Sequence, residues 1–125
     1  MLLTKAVLAL IGTMYVGLAA WCSLQPERTS GTVGFDLRPG AGQSEFLTIY
    51  GGLELALGLA FLAPLVREEF LPYSLLLCLV VHASLVAFRT AGFVLFADIP
   101  RTTYYFAATE WVLLLIVAWR WWAAR

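Results

Sequence analysis

Four long apolar stretches account for most of this chain, and short polar segments separate them. The stretches run from about residue 2 to 24, 46 to 66, 72 to 97 and 103 to 122. Each is apolar around most of its circumference, as helices surrounded by lipid are. At about 20 residues per crossing, each is long enough to span the hydrocarbon core of a bilayer. The pattern predicts an all-α fold: an integral membrane four-helix bundle in a single transmembrane domain, residues 1–125.

The segments between the stretches predict where the helices begin and end. Pro26 is expected to end the first helix, because proline seldom continues a helix. The Gly/Pro-rich segment 30–42 is expected to be the one long loop, with Ser44 capping the second helix. Pro72 suits the first turn of the third helix. Because the second and third connections are short, we expect up-down topology.

Composition and charge agree with a membrane protein. Charged residues make up only 13% of the chain, against about 25% in a typical soluble domain. Eight basic residues balance eight acidic ones, so the chain lacks the electrostatic footprint of a nucleic-acid-binding protein. We expect the lipid bilayer as a partner and no nucleic acid, while homo-oligomerisation stays open.

The distribution of basic residues predicts the orientation. Four lie at the helix ends that include the chain termini: Lys5, Arg67, Arg120 and Arg125. Three lie at the opposite ends: Arg28, Arg38 and Arg101. By the positive-inside rule, this difference places both termini in the cytoplasm and the long loop outside.

Ionisable side chains occur in the middle of the apolar stretches. Counted at 1.5 Å per residue from the helix midpoints, Glu54, Arg89 and Glu110 fall at similar depths. Tyr15 falls at about the same level, and His82 lies just across the midplane. We call these five residues the polar layer. An ionisable residue at bilayer depth is costly, and it therefore suggests a functional site.

The charges of the polar layer allow more than one arrangement. The planar guanidinium of Arg89 suits bidentate contact with a carboxylate. Two carboxylates, Arg89 and a protonated His82 would form a neutral network. Alternatively, one carboxyl stays protonated, because burial disfavours the charged form. The layer could also serve only to hold the helices together.

These residues define a candidate site. For acid–base chemistry we predict the catalytic set Glu54, Glu110, Arg89 and His82. For substrate binding we predict Tyr15, Tyr50 and Glu45. The chain has one histidine and no Cys-x-x-Cys motif, and no P-loop or Gly-x-Ser-x-Gly motif is present, so we expect no metal and no cofactor.

Several motifs resemble those of a known family. They are Pro26-Glu27, Gly34-Phe-Asp-Leu37 and Ser44-Glu45 leading into Tyr50-Gly-Gly-Leu-Glu54. With them the chain resembles a family of small bacterial four-helix membrane proteins of unknown function, and more loosely the DoxX-like group. The resemblance implies the bundle, a bacterial inner-membrane location and the importance of Glu45, Tyr50 and Glu54. It implies no reaction.

Three functions are compatible with the sequence. The first is a membrane-embedded polar cavity that binds a small lipophilic or amphipathic molecule, extended by acid–base chemistry such as isomerisation or epoxide opening. The second is a structural or partner subunit whose buried ion-pair network fixes helix packing or assembly. The third is a proton-coupled carrier. Four short spans without an internal repeat offer little structural basis for the alternating access that a carrier needs.

Overall fold

The computed structural model describes residues 1–125 and contains six α-helices and no strand. The helices are α1 (Leu2–Leu24), α2 (Pro26–Thr32), α3 (Ala41–Phe46), α4 (Glu54–Val66), α5 (Leu71–Leu95) and α6 (Arg101–Ala123). A π-helical segment, Leu47–Leu53, joins α3 to α4 in one continuous rod. A short 3₁₀ turn, Glu68–Phe70, precedes α5. Four helical segments are long and apolar enough to cross a membrane: Leu2–Leu24, Ala41–Val66, Glu68–Leu95 and Arg101–Ala123.

The second of these segments begins earlier than predicted. Gly40 precedes α3 with a φ of 77°, which glycine adopts without steric cost. Its N–H donates to the side-chain oxygen of Gln43 at 3.1 Å, so the first turn is capped there. Ser44, the predicted cap, lies inside the helix and provides no cap. The third segment ends at Leu95, slightly before the predicted 97.

The connection after α1 contains a helix that the sequence interpretation missed, α2, which begins before the predicted long loop and ends inside it. Pro26 does mark the end of α1, but it also occupies the first turn of α2, where its missing N–H costs nothing. Gln25, with φ −133° and ψ 60°, separates the two helices. Gln43 donates to the Glu27 carboxylate at 3.0 Å and ties α2 to α3. This side of the bundle is therefore covered by ordered structure.

Contacts near the helix ends show that consecutive long helices run antiparallel. At the end that includes both termini, the Arg120 guanidinium donates to the Thr4 hydroxyl at 3.1 and 3.0 Å. At the same end Lys5 forms an ion pair with Glu68. At the other end, α5 meets the start of α6 through stacked rings of Phe93 and Tyr104, 4.6 Å apart. The helices thus alternate in direction along the chain.

The closest helix contact is between α1 and α4, which pack more extensively than any other pair. A Cβ atom at Gly58 would lie 3.0 Å from both the Gly12 carbonyl oxygen and the Val16 amide nitrogen. A Cβ atom at Gly12 would lie 2.9 Å from the Gly58 carbonyl oxygen. The two glycines therefore allow the backbones to meet, as small residues do between membrane helices.

The core lies between this crossing and the end that includes both termini. Its buried apolar residues come from four helices: Leu8, Ile11, Tyr15, Phe61, Leu75, Cys78 and Val117. The hydroxyl of Ser74 donates to the Ala60 carbonyl at 2.6 Å and links α5 to α4 inside it. In contrast, α6 packs mainly on α5 and touches α1 only slightly. The bundle is therefore tight around α1, α4 and α5 and loosely closed at α6.

We expect Gly58→Ala to lower stability by about 1 to 3 kcal/mol, because the new methyl group overpacks the backbone contact. Gly17→Ala is the matched control: it lies on the same pair of long helices, and a Cβ atom there meets nothing within 4 Å. Because alanine favours the helix over glycine by about 1 kcal/mol, this control should be neutral or stabilising. Thermal unfolding in a mild detergent measures both. Equal changes in stability for the two variants would contradict the close approach of α1 and α4 at Gly58.

Candidate functional site

The structure brings four of the five residues of the polar layer into two separate contacts. The ring of Tyr15 on α1 meets the imidazole of His82 on α5 edge-on, with centroids 5.8 Å apart. Arg89 of α5 pairs with Glu110 of α6. The layer therefore does not form a single hydrogen-bonded network.

Arg89 pairs with Glu110. Its Nε–H donates to Oε2 at 2.9 Å, and Nη2 donates to Oε1 at 2.5 Å. This is the bidentate contact expected of a planar guanidinium, and it links α5 to α6. The Glu110 side chain is 14% exposed and that of Arg89 is 33% exposed. The pair is thus largely buried on the carboxylate side and open on the guanidinium side.

The Glu54 side chain has no partner. Its carboxyl takes part in no hydrogen bond or ion pair, and Arg89, the only cation of the layer, is bound to Glu110. The predicted network of two carboxylates around Arg89 is therefore wrong in this respect. Glu54 is only partly buried.

His82 does not supply the second positive charge of the expected network. Its side chain is 1% exposed, and Nδ1 lies 2.8 Å from the Cys78 carbonyl oxygen. A carbonyl only accepts, so Nδ1 is the nitrogen that donates. Nε2 is buried without a partner, and a proton there would be a buried donor with no acceptor, which is costly. The geometry thus favours the neutral tautomer.

Tyr15 lies deep in the core. It is 6% exposed, and its ring packs edge-on against Phe61 and His82, with centroid separations of 5.3 and 5.8 Å. Its position explains how α1 contributes to the layer: the helix buries one aromatic side chain between α4 and α5. Tyr15 therefore lies between Phe61 and His82 in the core.

Tyr50 lies in the π-helical segment directly before Glu54. Its ring stacks on Phe46 at 4.6 Å, and Phe35 of the long connection meets it edge-on at 5.9 Å. A π segment widens the helix with i→i+5 hydrogen bonds and often occurs at functional sites. Gly51 lets this segment approach α1 closely, because a Cβ atom there would lie 2.6 Å from the Ser23 hydroxyl, which would have to shift. The paired glycines are the only sequence signal for this distortion.

Glu45, predicted to bind substrate, lies apart from the layer. It is exposed on α3, and its side chain forms no ion pair. Phe46 and the whole π segment separate it from Glu54 along the chain, which explains the difference.

An open groove of about 460 Å³ lies between the second half of α5 and the start of α6. It is lined by Leu85, Phe88, Arg89, Gly92, Phe93, Phe96, Asp98, Ile99, Pro100 and Thr103. Of the five N–H donors of a guanidinium, Arg89 uses two on Glu110, and three remain for the groove. Sequence interpretation missed the groove, because its phenylalanines are indistinguishable from other apolar residues in a spanning helix.

Comparison with protein-family models, with curated proteins and with solved structures finds no match to this chain. The resemblance to small bacterial four-helix membrane proteins and to the DoxX-like group therefore stays a prediction. The site has to be interpreted from its own geometry.

We expect Arg89→Leu to destabilise the bundle by about 3 kcal/mol, because it leaves the Glu110 carboxylate buried without a counter-charge. Adding Glu110→Leu should recover most of this loss, since apolar side chains replace both charges. Arg101→Leu is the control, because Arg101 is exposed and forms no ion pair. Thermal unfolding in detergent of the wild type, Arg89→Leu, Glu110→Leu and the double variant gives the coupling between the two sites, with Arg101→Leu measured alongside. Additive effects of the two single variants would rule out a stabilising pair.

Proposed function

We propose that this chain is an integral membrane protein of the bacterial inner membrane, with four spans and both termini in the cytoplasm. Its surface supports insertion in lipid. Large apolar side chains that are mostly exposed occur on every long helix, among them Leu10, Leu59, Phe88 and Leu115. A water-soluble monomer rarely exposes contiguous apolar patches of this extent.

Within that bundle, the groove beside Arg89 binds a small amphipathic molecule. The volume of about 460 Å³ lies in the range of ligand sites, about 300 to 1,000 Å³. Phe88, Phe93 and Phe96 offer an apolar wall, and Thr103 adds a hydroxyl. The observation that carries the proposal is the Arg89 guanidinium, which Glu110 holds in place with three N–H donors free.

The charges around the groove favour a neutral polar group on the ligand. Glu110 already balances Arg89, and Asp98 at the rim adds a negative charge that disfavours an anion. A carbonyl, ether or hydroxyl oxygen accepts from the free N–H donors without an added charge. The apolar part of the ligand then lies against the phenylalanines and the surrounding lipid.

Binding is better supported than catalysis. Apart from the Arg89 and Glu110 pair, no two groups of the predicted acid–base set share a hydrogen bond. General acid–base chemistry needs the proton donor or acceptor within hydrogen-bond reach of the reacting group. Isomerisation or epoxide opening therefore stays a prediction from sequence.

A structural or partner subunit is the second candidate. The closed Arg89 and Glu110 pair favours it, because such a contact holds α6 to α5 without any ligand. The two functions differ in what the groove does. A structural pair stabilises the bundle but retains no small molecule, whereas a binding groove retains one through purification.

Membrane insertion has a direct test. We expect the chain to stay in the pellet when native membranes are washed with alkaline carbonate and to be released only by detergent. The reason is that only lipid or detergent can cover its apolar surface. Release by carbonate would contradict the four spans.

Ligand binding is tested by native mass spectrometry of protein isolated from its own membranes. We expect a small amphipathic molecule to accompany the wild type and Tyr73→Ala but to be largely lost from Phe88→Ala. Both aromatic residues lie on α5 and are highly exposed, 71% and 81%, but only Phe88 lines the groove. Equal retention in both variants, or no bound molecule in any sample, would favour the structural alternative.

A further inference from the structure

The groove beside Arg89 has a negative charge that no group of the protein balances. Two charged residues line it, Arg89 and Asp98. Glu110 already neutralises Arg89 through the bidentate contact. The Asp98 carboxylate forms no ion pair, and the neighbouring Arg101 is exposed and does not line the groove. The groove therefore has one net negative charge, and it is located at Asp98.

The fold does not explain why residue 98 is an aspartate. Its φ of 58° is in the left-handed region, which glycine and asparagine adopt at least as readily. The helix that follows, α6, has Pro100 as its N-cap and no side-chain cap bond, so the Asp98 carboxylate does not cap it. The charge at this position is thus used in no contact within the protein.

Arg89 and Asp98 lie at different depths of the groove. Arg89 precedes the end of α5 at Leu95 by roughly 9 Å along the helix axis. Asp98 follows that end, in the connection to α6 and outside the membrane-spanning segments. The groove therefore offers N–H donors within the membrane and a carboxylate at its boundary with water. A ligand that uses both needs an oxygen acceptor and, at a similar distance toward the water, a cationic group.

We propose that the groove binds a single-chain amphipathic amine. This inference rests on the proposed function and specifies the class of ligand for the same site. The ammonium group pairs with Asp98, and a carbonyl or hydroxyl oxygen accepts from the free N–H donors of Arg89. The apolar chain lies against Phe88 and extends into the lipid. The positive charge of the ligand then balances the net charge of the groove.

The aromatic wall of the groove suits the two ends of such a ligand. Phe88 is 81% exposed and Phe96 is 69% exposed, so the groove is open to lipid along α5 and an amphiphile dissolved in the bilayer can enter it sideways. Phe93 is stacked on Tyr104, whereas the ring of Phe96 pairs with no other aromatic ring. Phe96 precedes Asp98 by two residues, and a free aromatic face attracts an ammonium group.

A zwitterionic phospholipid fits these charges less well than a single-chain amine. Its phosphate places a negative charge next to the ammonium group and therefore close to Asp98, where like charges are unfavourable. The volume of about 460 Å³ also lies in the range of sites for small ligands.

The test compares three probes that share a decanoyl amide and a spacer of matched length and differ in the terminal group. They are N-(6-aminohexyl)decanamide, N-(6-hydroxyhexyl)decanamide and 6-(decanoylamino)hexanoate. Each is titrated into the full chain in nonionic detergent and followed by native mass spectrometry. The amine should bind about fivefold more tightly than the alcohol, the effect of one partly exposed ion pair, and the carboxylate should bind most weakly.

Asp98→Asn removes the charge and keeps a residue type that adopts the left-handed backbone readily. It should abolish the advantage of the amine over the alcohol. Asp36→Asn is the matched control, because Asp36 is an exposed carboxylate that forms no ion pair and does not line the groove. It should change neither affinity. In the wild type, added sodium chloride should weaken binding of the amine but not of the alcohol, because salt screens an exposed ion pair.

The molecule retained from native membranes gives an independent check. After extraction, reductive methylation with formaldehyde and cyanoborohydride adds methyl groups to amines and not to alcohols, so the mass of the molecule should increase. A retained molecule that does not react would overturn the amine assignment. Displacement of the amine probe by an equal concentration of phosphatidylethanolamine would place a membrane lipid in the groove and would overturn it as well.

Phe88→Ala distinguishes failure of this inference from failure of the proposed function. It should weaken all three probes, because they share the apolar chain that lies against Phe88. If it does so while the wild type binds amine and alcohol equally, or while Asp98→Asn keeps the advantage of the amine, the groove binds amphiphiles but the amine assignment is wrong. No binding of any probe, or unchanged binding in Phe88→Ala, would overturn the proposed function and this inference together.

Discussion

The bidentate contact between Arg89 and Glu110 determines how the charges of the polar layer are divided. One guanidinium satisfies one carboxylate fully, because two parallel N–H donors match its two oxygens. The same contact anchors α6, which otherwise has little packing beyond α5. As a result, three N–H donors of Arg89 remain for a groove, and the second carboxylate, Glu54, remains without a counter-charge.

The position of Glu54 depends on a different constraint, the contact of α1 with α4. Gly12 and Gly58 let the two backbones meet, and Gly51 leaves room for Ser23 of α1. The π-helical segment that contains Gly51 ends at Leu53, so Glu54 is the first residue of α4. Small residues and a widened helical turn thus place Glu54 directly after the π segment that holds Tyr50, on the helix that packs most extensively against α1.

Hydropathy predicted the parts of the fold that depend on local pattern. The bounds of α1 agree with the prediction, and α6 differs from it by only a few residues, because continuous apolar runs of this length form helices. The misses were at residues whose role depends on neighbours. Pro26 ends one helix but begins another, and Gly40 rather than Ser44 caps α3 because Gln43 reaches back to its N–H. The residue type alone therefore does not predict whether a helix begins, ends or is capped at that position.

For the site, the sequence by itself determined that charged residues from separate helices lie at one depth, because antiparallel helices of known rise leave little freedom along the axis. Only the tertiary structure decided which of them pair. Depth does not specify rotation about the helix axis, and rotation directs Arg89 to Glu110 and leaves the Glu54 carboxyl without a partner. The same packing directs His82 to the Cys78 carbonyl, a choice that no spacing in the sequence could indicate.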